Sequence, residues 1–304
     1  MSHRIHRCLP IILAAALALS GGAAALHAQE VNTSSKLLAD KSPAMVVIKF
    51  VLSMKMGSEG EQQNEMEVPG TMISPEGLVV SSNTRLGGFV SLFGRYFGRE
   101  LSAKPTDIKV LAGDDNQGAE AEFVARDTEL DLAWIRIKKP GEKKYAYLDL
   151  GKGTRPAIGD PIFCLDKMDK YFDRIAIVSE GRITGITRKP RELYVPTTGS
   201  VTDVGVPVFA RSGEVVGLAV VQLPDDEEGG ANRMSMTSRL SNLASMGMIL
   251  PASEVAKATK RALETASTRP SDENQATTKP AAVKKTKAKP DKTKQADDAS
   301  KEDK

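Results

Sequence analysis

Histidine is nearly absent from this chain of 304 residues. Its three histidines, His3, His6 and His27, all lie within the first 28 residues. Beyond residue 28 the chain has no imidazole that takes a proton from a nucleophile near neutral pH. A tetrahedral zinc site of nitrogen and sulfur ligands is excluded there as well, because Cys164 would be its sole such ligand. We therefore expect no bound metal and no cofactor.

The cysteine count excludes a disulfide within the processed chain. Only Cys8 and Cys164 are present, and Cys164 alone lies beyond the first 28 residues. It stands in the apolar run 161–165, which indicates a buried thiol rather than a reactive one. The fold must therefore depend on its apolar core.

No hydrophobic run reaches the length of about 20 residues that a membrane-spanning helix needs. The N-terminal run from Leu9 to Leu19 follows two arginines and precedes the small residues 20–25. This order is typical of a secretory signal peptide, cleaved after Ala25 or Ala28; an uncleaved anchor is the alternative. We expect export to the periplasm, the cell envelope or the extracellular space.

The C-terminal residues from 267 onwards contain no aromatic side chain and are dominated by polar and charged residues. Such a segment buries too little apolar surface to offset the entropy of ordering it, which predicts a disordered tail. Between Lys279 and Lys294 it holds seven lysines and one acidic residue, Asp291. This charge suits an anionic surface, but without interleaved aromatic residues it predicts no specific nucleic acid. A purely solvating tail is the alternative.

The apolar segments between the two ends are short, β-branched and bounded by turn residues, which is typical of strands. Roughly 240 residues of this kind predict an all-β fold of two packed barrels. The predicted strands form two series, at residues 45–52, 70–73, 78–80, 107–111, 121–125 and 132–137, and then at 161–165, 174–178, 182–187, 206–209, 215–221 and 248–250.

Two helices are predicted in addition to the strands. Ser253 is expected to cap the first, whose apolar stripe through Val255 and Ala258 would dock on the second barrel and close the domain. A weaker helix over residues 89–97 carries aromatic side chains at helical spacing. These aromatic residues suit either a partner-binding patch or ordinary core packing.

The sequence thus divides into segments of different character. We predict a signal peptide at 1–28, an N-terminal segment at 29–41, a two-barrel domain at 42–266 with barrels at about 42–150 and 151–266, and a lysine-rich tail at 267–304.

Five sequence motifs occur in a recognisable order. Residues 70–85 (GTMISPEGLVVSSNTR), 125–133 (ARDTELDLA) and 202–217 (TDVGVPVFARSGEVVG) are joined by 150–160 (LGKGTRPAIGD) and followed by 247–255 (GMILPASEV). Together they resemble the trypsin-fold domain of HtrA-type serine proteases, whose patterns are T-N-x-H-V, D-x-x-x-D-L-A, G-N-S-G-G-P, L-G-x-S and a closing strand and helix. The resemblance implies a chymotrypsin-type fold of two β-barrels with a C-terminal helix.

The resemblance also implies which residues occupy the catalytic positions. Thr84 falls at the histidine position, Asp131 at the carboxylate and Val204 at the serine, so only the carboxylate is kept. Thr202 and Asp203 fall in the loop whose amides would form the oxyanion hole. Thr202 replaces a glycine there, and a β-branched residue tolerates a positive φ poorly.

The leading hypothesis is therefore an exported trypsin-like protease homologue without proteolytic activity, which binds an unknown peptide or protein or acts as a scaffold. The resemblance includes no peptide-binding PDZ module after the closing helix, so recognition is expected from the barrel surface or the tail. An oligomer is compatible with the resemblance, although residues 29–41 give no clear signal for one.

Other functions remain open at this stage. An active hydrolase would need an unrecognised catalytic residue, such as Ser200 paired with a lysine. The tail would instead confer binding to anionic surfaces. The acidic run from Asp225 to Glu228 suits Ca²⁺, but the two glycines after it favour a solvated loop.

Overall fold

Two closed antiparallel barrels of six strands each follow one another in the computed structural model, which describes residues 33–56, 61–90, 101–222 and 247–268. The all-β, two-barrel fold class predicted from the sequence is confirmed. Several predicted segments lie outside the described residues: the signal peptide, most of the aromatic helix at 89–97, the acidic run from Asp225 to Glu228, and the tail from residue 269.

The two barrels share one strand order. The first runs β1-β2-β3-β6-β5-β4 and the second β7-β8-β9-β12-β11-β10, so each is closed between its first and fourth strands. The strands of the first barrel are β1 (Met45–Met56), β2 (Glu61–Met72), β3 (Leu78–Ser82), β4 (Leu101–Ala112), β5 (Ala119–Asp127) and β6 (Leu132–Ile137). Those of the second are β7 (Pro161–Lys167), β8 (Ala176–Ile186), β9 (Tyr194–Pro196), β10 (Pro207–Ala210), β11 (Val215–Val221) and β12 (Gly247–Pro251).

The turn between β2 and β3 shows how local sequence sets the strand geometry. Gly77 has a φ of 90°, which favours glycine, and its N–H donates to the Ser74 carbonyl at 3.2 Å. The Ser74 hydroxyl accepts the Leu78 N–H at 3.2 Å. This turn, predicted from residues 74–77, reverses the chain, and all five residues of β3 that follow it are buried in the core. The C-terminal end of β3 lies at the candidate functional site.

One strand prediction in the second barrel is wrong. The segments 174–178 and 182–187 are not two strands, because β8 runs unbroken from Ala176 to Ile186. Gly181 lies inside this strand and makes room for Ser200, since a Cβ there would lie 2.3 Å from the Ser200 Cβ. Its absent side chain serves close packing and not a turn.

Several stretches of strand have no counterpart in the sequence prediction, and the outer half of β2 and the whole of β9 are two of them. The outer half of β2, residues 61–68, is mostly exposed and polar, and it is held by antiparallel pairing to β1 from Ile48↔Val68 to Lys55↔Glu61. The strand β9 has only three residues. Neither stretch shows the apolar alternation that marks a half-buried strand.

A helix lies at each end of the described chain. Residues 33–41 form a helix, α1, that buries Leu37. The C-terminal helix, α2 (Ala252–Thr268), begins one residue before the predicted cap Ser253 and includes the first two residues assigned to the tail. It packs against β11 and β12, as expected for docking on the second barrel, and it also packs against β5 and β6 of the first.

A continuous core explains why α2 touches both barrels. Its buried residues Val255 and Ala258 belong to one apolar cluster with Trp134 of β6 and Phe209 of β10. A second cluster fills the interior of the first barrel. Burial of this kind contributes about 25 cal/mol per Å² of apolar surface, which makes the shared core the main stabilising element. Among the described residues, no helix combines the length and the apolar character needed to span a lipid bilayer.

The indole of Trp134 makes one polar contact in this core. Its Nε1–H donates to the Thr259 Oγ1 at 2.9 Å, and the Thr259 hydroxyl donates to the Val255 carbonyl at 2.8 Å. We expect Thr259→Val to lower the free energy of unfolding by about 1–3 kcal/mol, because the buried indole N–H loses its acceptor. Urea denaturation measures this change.

Thr265→Val is the matched control. Its hydroxyl also donates to a carbonyl four residues earlier, that of Arg261 at 2.9 Å, but the side chain is exposed. The two substitutions share the same change in helix propensity. Equal losses in both variants would show that the indole contact adds nothing to stability.

Candidate functional site

The end of β3 and the start of β6 in the first barrel meet the end of β11 in the second. Asp131, the residue before β6, is 3% exposed and has a left-handed backbone with a φ of 57°. Its Oδ1 accepts the Thr84 N–H at 2.7 Å, and its Oδ2 accepts the Ser82 hydroxyl at 2.8 Å and the Val221 N–H at 2.9 Å. One buried carboxylate therefore joins both barrels.

The surroundings of Asp131 contain no imidazole, because no described residue is a histidine. Burial raises the pKa of this carboxyl, while hydrogen bonds from the Val221 and Thr84 amides and from the Thr84 and Ser82 side chains favour its charged form. Every one of these partners belongs to the main chain or to a hydroxyl group. Asp131 thus acts as an anchor for the segments around it.

Gly205 marks the closest approach of the second barrel to β3. It has a φ of 85°, and a Cβ there would lie 2.6 Å from the Ser82 nitrogen and 2.7 Å from the Ser81 hydroxyl oxygen. Its N–H donates to the Ala219 carbonyl at 2.7 Å. Only glycine fits both the backbone conformation and the space. We call this contact region, residues 81–85 and 131 against 202–205 and 221, the seam.

A charged pair crosses the seam beside Val204. The Arg85 guanidinium donates through Nε to the Asp203 Oδ1 at 2.7 Å, and its Nη2 donates to the same oxygen. That oxygen also accepts the Val204 N–H at 2.7 Å. Arg85 and Thr84 are neighbours, as are Asp203 and Val204, so the pair brings the predicted histidine and serine positions together.

A second carboxylate lies behind this pair. The Thr202 hydroxyl donates to the Asp166 Oδ2 at 3.0 Å. Burial raises the pKa of Asp166, and the negative charge of Asp203 raises it further. The predicted oxyanion loop therefore carries one carboxylate, Asp203, and contacts a second, Asp166, and the Arg85 guanidinium.

The other candidate nucleophiles are the Ser200 hydroxyl and the Cys164 thiol. The Ser200 hydroxyl is buried and donates to the Thr197 carbonyl at 2.7 Å, and no described lysine bonds to it. Burial raises the pKa of the Cys164 thiol to about 12, so this thiol stays protonated at neutral pH. In the part of the chain that the structure describes, no three metal-ligating side chains converge.

Sequence reasoning brought Thr84, Asp131, Val204, Thr202 and Asp203 into one site, and all five lie at the seam. It missed the partners Arg85, Ser82, Asp166 and Val221. Opposite charges directly beside Thr84 and Val204 were a usable signal for the Arg85–Asp203 pair. Nothing in the sequence marked Val221, because its contribution is a main-chain amide.

Comparison with known proteins agrees with this geometry. Residues 70–218, which include Thr84, Asp131 and Val204, match the family model described as "Trypsin-like peptidase domain". With the two six-stranded barrels, the match defines the class: the chain carries an all-β trypsin-like fold of the chymotrypsin type.

Among solved structures, the chain is similar to the crystal structure of Deg5. The identity is 17%, the similarity covers 75% of this chain and 92% of that chain, and the TM-score is 0.46. No curated protein matches the chain.

The anchoring role of Asp131 is testable by an isosteric change. We expect Asp131→Asn to lower the free energy of unfolding by about 1–3 kcal/mol, because an amide leaves either the Thr84 or the Val221 N–H without an acceptor. Asparagine tolerates the left-handed backbone, so the substitution isolates the lost hydrogen bond. Urea denaturation of the folded protein gives the value.

Asp107→Asn is the control for this substitution. Asp107 also has a left-handed backbone, with a φ of 50°, but its side chain is exposed. We expect its stability to stay within about 0.5 kcal/mol of the original protein. An Asp131→Asn protein as stable as this control would refute the anchoring role.

Proposed function

We propose that this protein is an exported, HtrA-type member of the trypsin-like proteases that has lost proteolytic activity and binds a peptide or protein partner. The proposal combines the predicted signal peptide, the motif order and the residues at the seam. One observation carries it: the Asp203 carboxylate accepts the Val204 N–H and is paired with Arg85.

The first argument concerns the missing base and nucleophile. Proteolysis by this fold needs a hydroxyl or thiol whose proton is taken by a nearby base. Val204 has no nucleophilic atom, and Thr84 offers only a hydroxyl that helps to hold Asp131. Loss of the nucleophile or the base of a triad lowers turnover by about a millionfold. Here both are absent from their expected positions.

The second argument concerns the oxyanion. In an active site of this kind, free amide N–H groups donate hydrogen bonds to the negative charge that develops on the substrate oxygen. The Val204 N–H is instead bonded to the Asp203 carboxylate at 2.7 Å. A developing oxyanion there would meet a negative charge and an occupied donor. Removing a single oxyanion donor typically costs about 10²–10³ in turnover, so the loss adds to that of the triad.

The proposed binding role is supported by the contacts that cross the seam and by its exposed charge. Both barrels are closed, and the segments of the seam are held by contacts that span it, from Asp131 to Val221 and from Arg85 to Asp203. The Arg85 side chain is 43% exposed. A rigid, partly exposed surface with fixed charges recognises a partner without performing chemistry on it.

A protease assay tests the proposal. We expect the mature protein to leave casein intact and to remain unlabelled by a serine-directed fluorophosphonate probe, because no serine has an activating base. Mass spectrometry of the probe-treated protein reports labelling at each serine. Heat-unfolded protein serves as the control for non-specific labelling.

The result that would overturn the proposal is specific. Labelling of one serine, together with casein cleavage that disappears when this serine is replaced, would show an active hydrolase. Asp131→Ala then shows where such an active site lies. Casein cleavage is lost with this substitution if the site is at the seam, and it is kept if the site is elsewhere. For a non-catalytic protein the same substitution changes stability alone.

A further inference from the structure

The turn that joins β7 to β8 displays apolar side chains to solvent. We call residues 169–175 the knob. Of the six large hydrophobic side chains exposed among the described residues, three lie there: Tyr171 at 84%, Ile175 at 56% and Phe172 at 48%. The two aromatic rings stand edge to face with centroids 5.0 Å apart. Apolar side chains grouped in this way mark interaction sites more often than single exposed ones do.

The knob has a defined conformation. The Asp169 carboxylate accepts the Tyr171 N–H at 2.8 Å, and the Asp169 carbonyl accepts the amides of Phe172 and Arg174, both at 3.1 Å. The Met168 N–H donates to the Ile175 carbonyl at 2.9 Å and closes the base of the turn. The apolar side chains are therefore held in fixed positions, which reduces the entropy lost when a partner binds.

The remainder of the protein imposes this conformation. Asp173 and Arg174 both have left-handed backbones, with φ of 54° and 51°, although neither is glycine. Arg174 donates from Nε and Nη2 to the two Glu67 carboxylate oxygens at 2.9 and 2.8 Å, and from Nη1 to the Asn116 side chain at 3.2 Å. Such strain, held in place by a forked ion pair to the other barrel, is typical of functional surfaces.

The charges around the knob are mostly negative. Asp169 and Asp173 are exposed on the turn itself, and Asp114 and Asp115 lie in the turn of Asn116, which contacts Arg174. Within the described residues, none of these four carboxylates has an ion pair. The cations without an ion pair that face these groups are Lys167, which acts on Asp114, Lys143, which acts on Asp115, and Lys170, which acts on Glu65. The carboxylates outnumber these lysines.

We propose that the knob docks a protein segment in which a lysine or arginine stands beside aliphatic residues. The aliphatic side chains would pack on Tyr171, Phe172 and Ile175, while the cation would meet the aromatic faces and the surrounding carboxylates. The carboxylates around the knob repel an anionic lipid surface and therefore disfavour it as the occupant. This assignment is independent of the proposed loss of proteolysis, because the knob lies outside the seam.

Selection from a library of short random peptides displayed on phage tests the assignment. The bait is the full-length mature protein, and the competitor is a Tyr171→Ser/Phe172→Ser variant. We expect enrichment of peptides with lysine or arginine next to leucine, isoleucine or valine. Fluorescence anisotropy with one enriched peptide should show an affinity loss of about tenfold or more in the variant, as for an exposed aromatic anchor. The same peptide with glutamate in place of its cation should bind the original protein at least as weakly as the unchanged peptide binds the variant.

A Tyr147→Ser/Ile158→Ser protein is the matched control, because it also removes two exposed apolar side chains, outside the knob. It should bind the peptide within about twofold of the original protein, as expected when no contact is lost. Absence of enrichment over the competitor, or enrichment of acidic peptides, would overturn the assignment. So would binding to phosphatidylglycerol vesicles that disappears with the serine pair.

Discussion

The Asp131 carboxylate is the contact on which the geometry of the seam depends. It is buried where the barrels meet, and its hydrogen bonds reach Thr84 and Ser82 in one barrel and Val221 in the other. A buried carboxylate is costly unless donors surround it, so these segments have to stay in place together. The close contact of Gly205 with β3 depends on the same alignment.

This arrangement explains how a trypsin-like fold keeps its aspartate without a histidine beside it. In a triad the carboxylate orients an imidazole, but here its acceptor positions are filled by main-chain amides and hydroxyl groups. The Arg85–Asp203 pair then connects the two sides of the seam next to Thr84 and Val204. These interactions hold the segments of the seam in place.

The sequence predicts the buried strands well and the exposed ones poorly. The bounds of β6 and β11 were predicted to the residue, because short, mostly apolar runs between polar or turn residues leave few alternatives. The outer half of β2 is polar, so only its pairing with β1 makes it a strand. Arg85 and Asp203 are 118 residues apart, so their pairing is predictable only once the motif order places Thr84 and Val204 in one site.

The knob and the seam show two different uses of strain and charge. At the seam, the strain of the left-handed Asp131 is offset by the buried hydrogen bonds of its side chain, and these bonds stabilise the contact between the barrels. In the knob, the strain of the left-handed Asp173 and Arg174 is offset by the ion pair of Arg174 with Glu67. The apolar side chains of this turn are exposed to water. Folding alone gains nothing from that exposure, because burial of the same side chains would be favourable. A partner that covers the knob recovers this free energy, which is why we assign recognition to this turn.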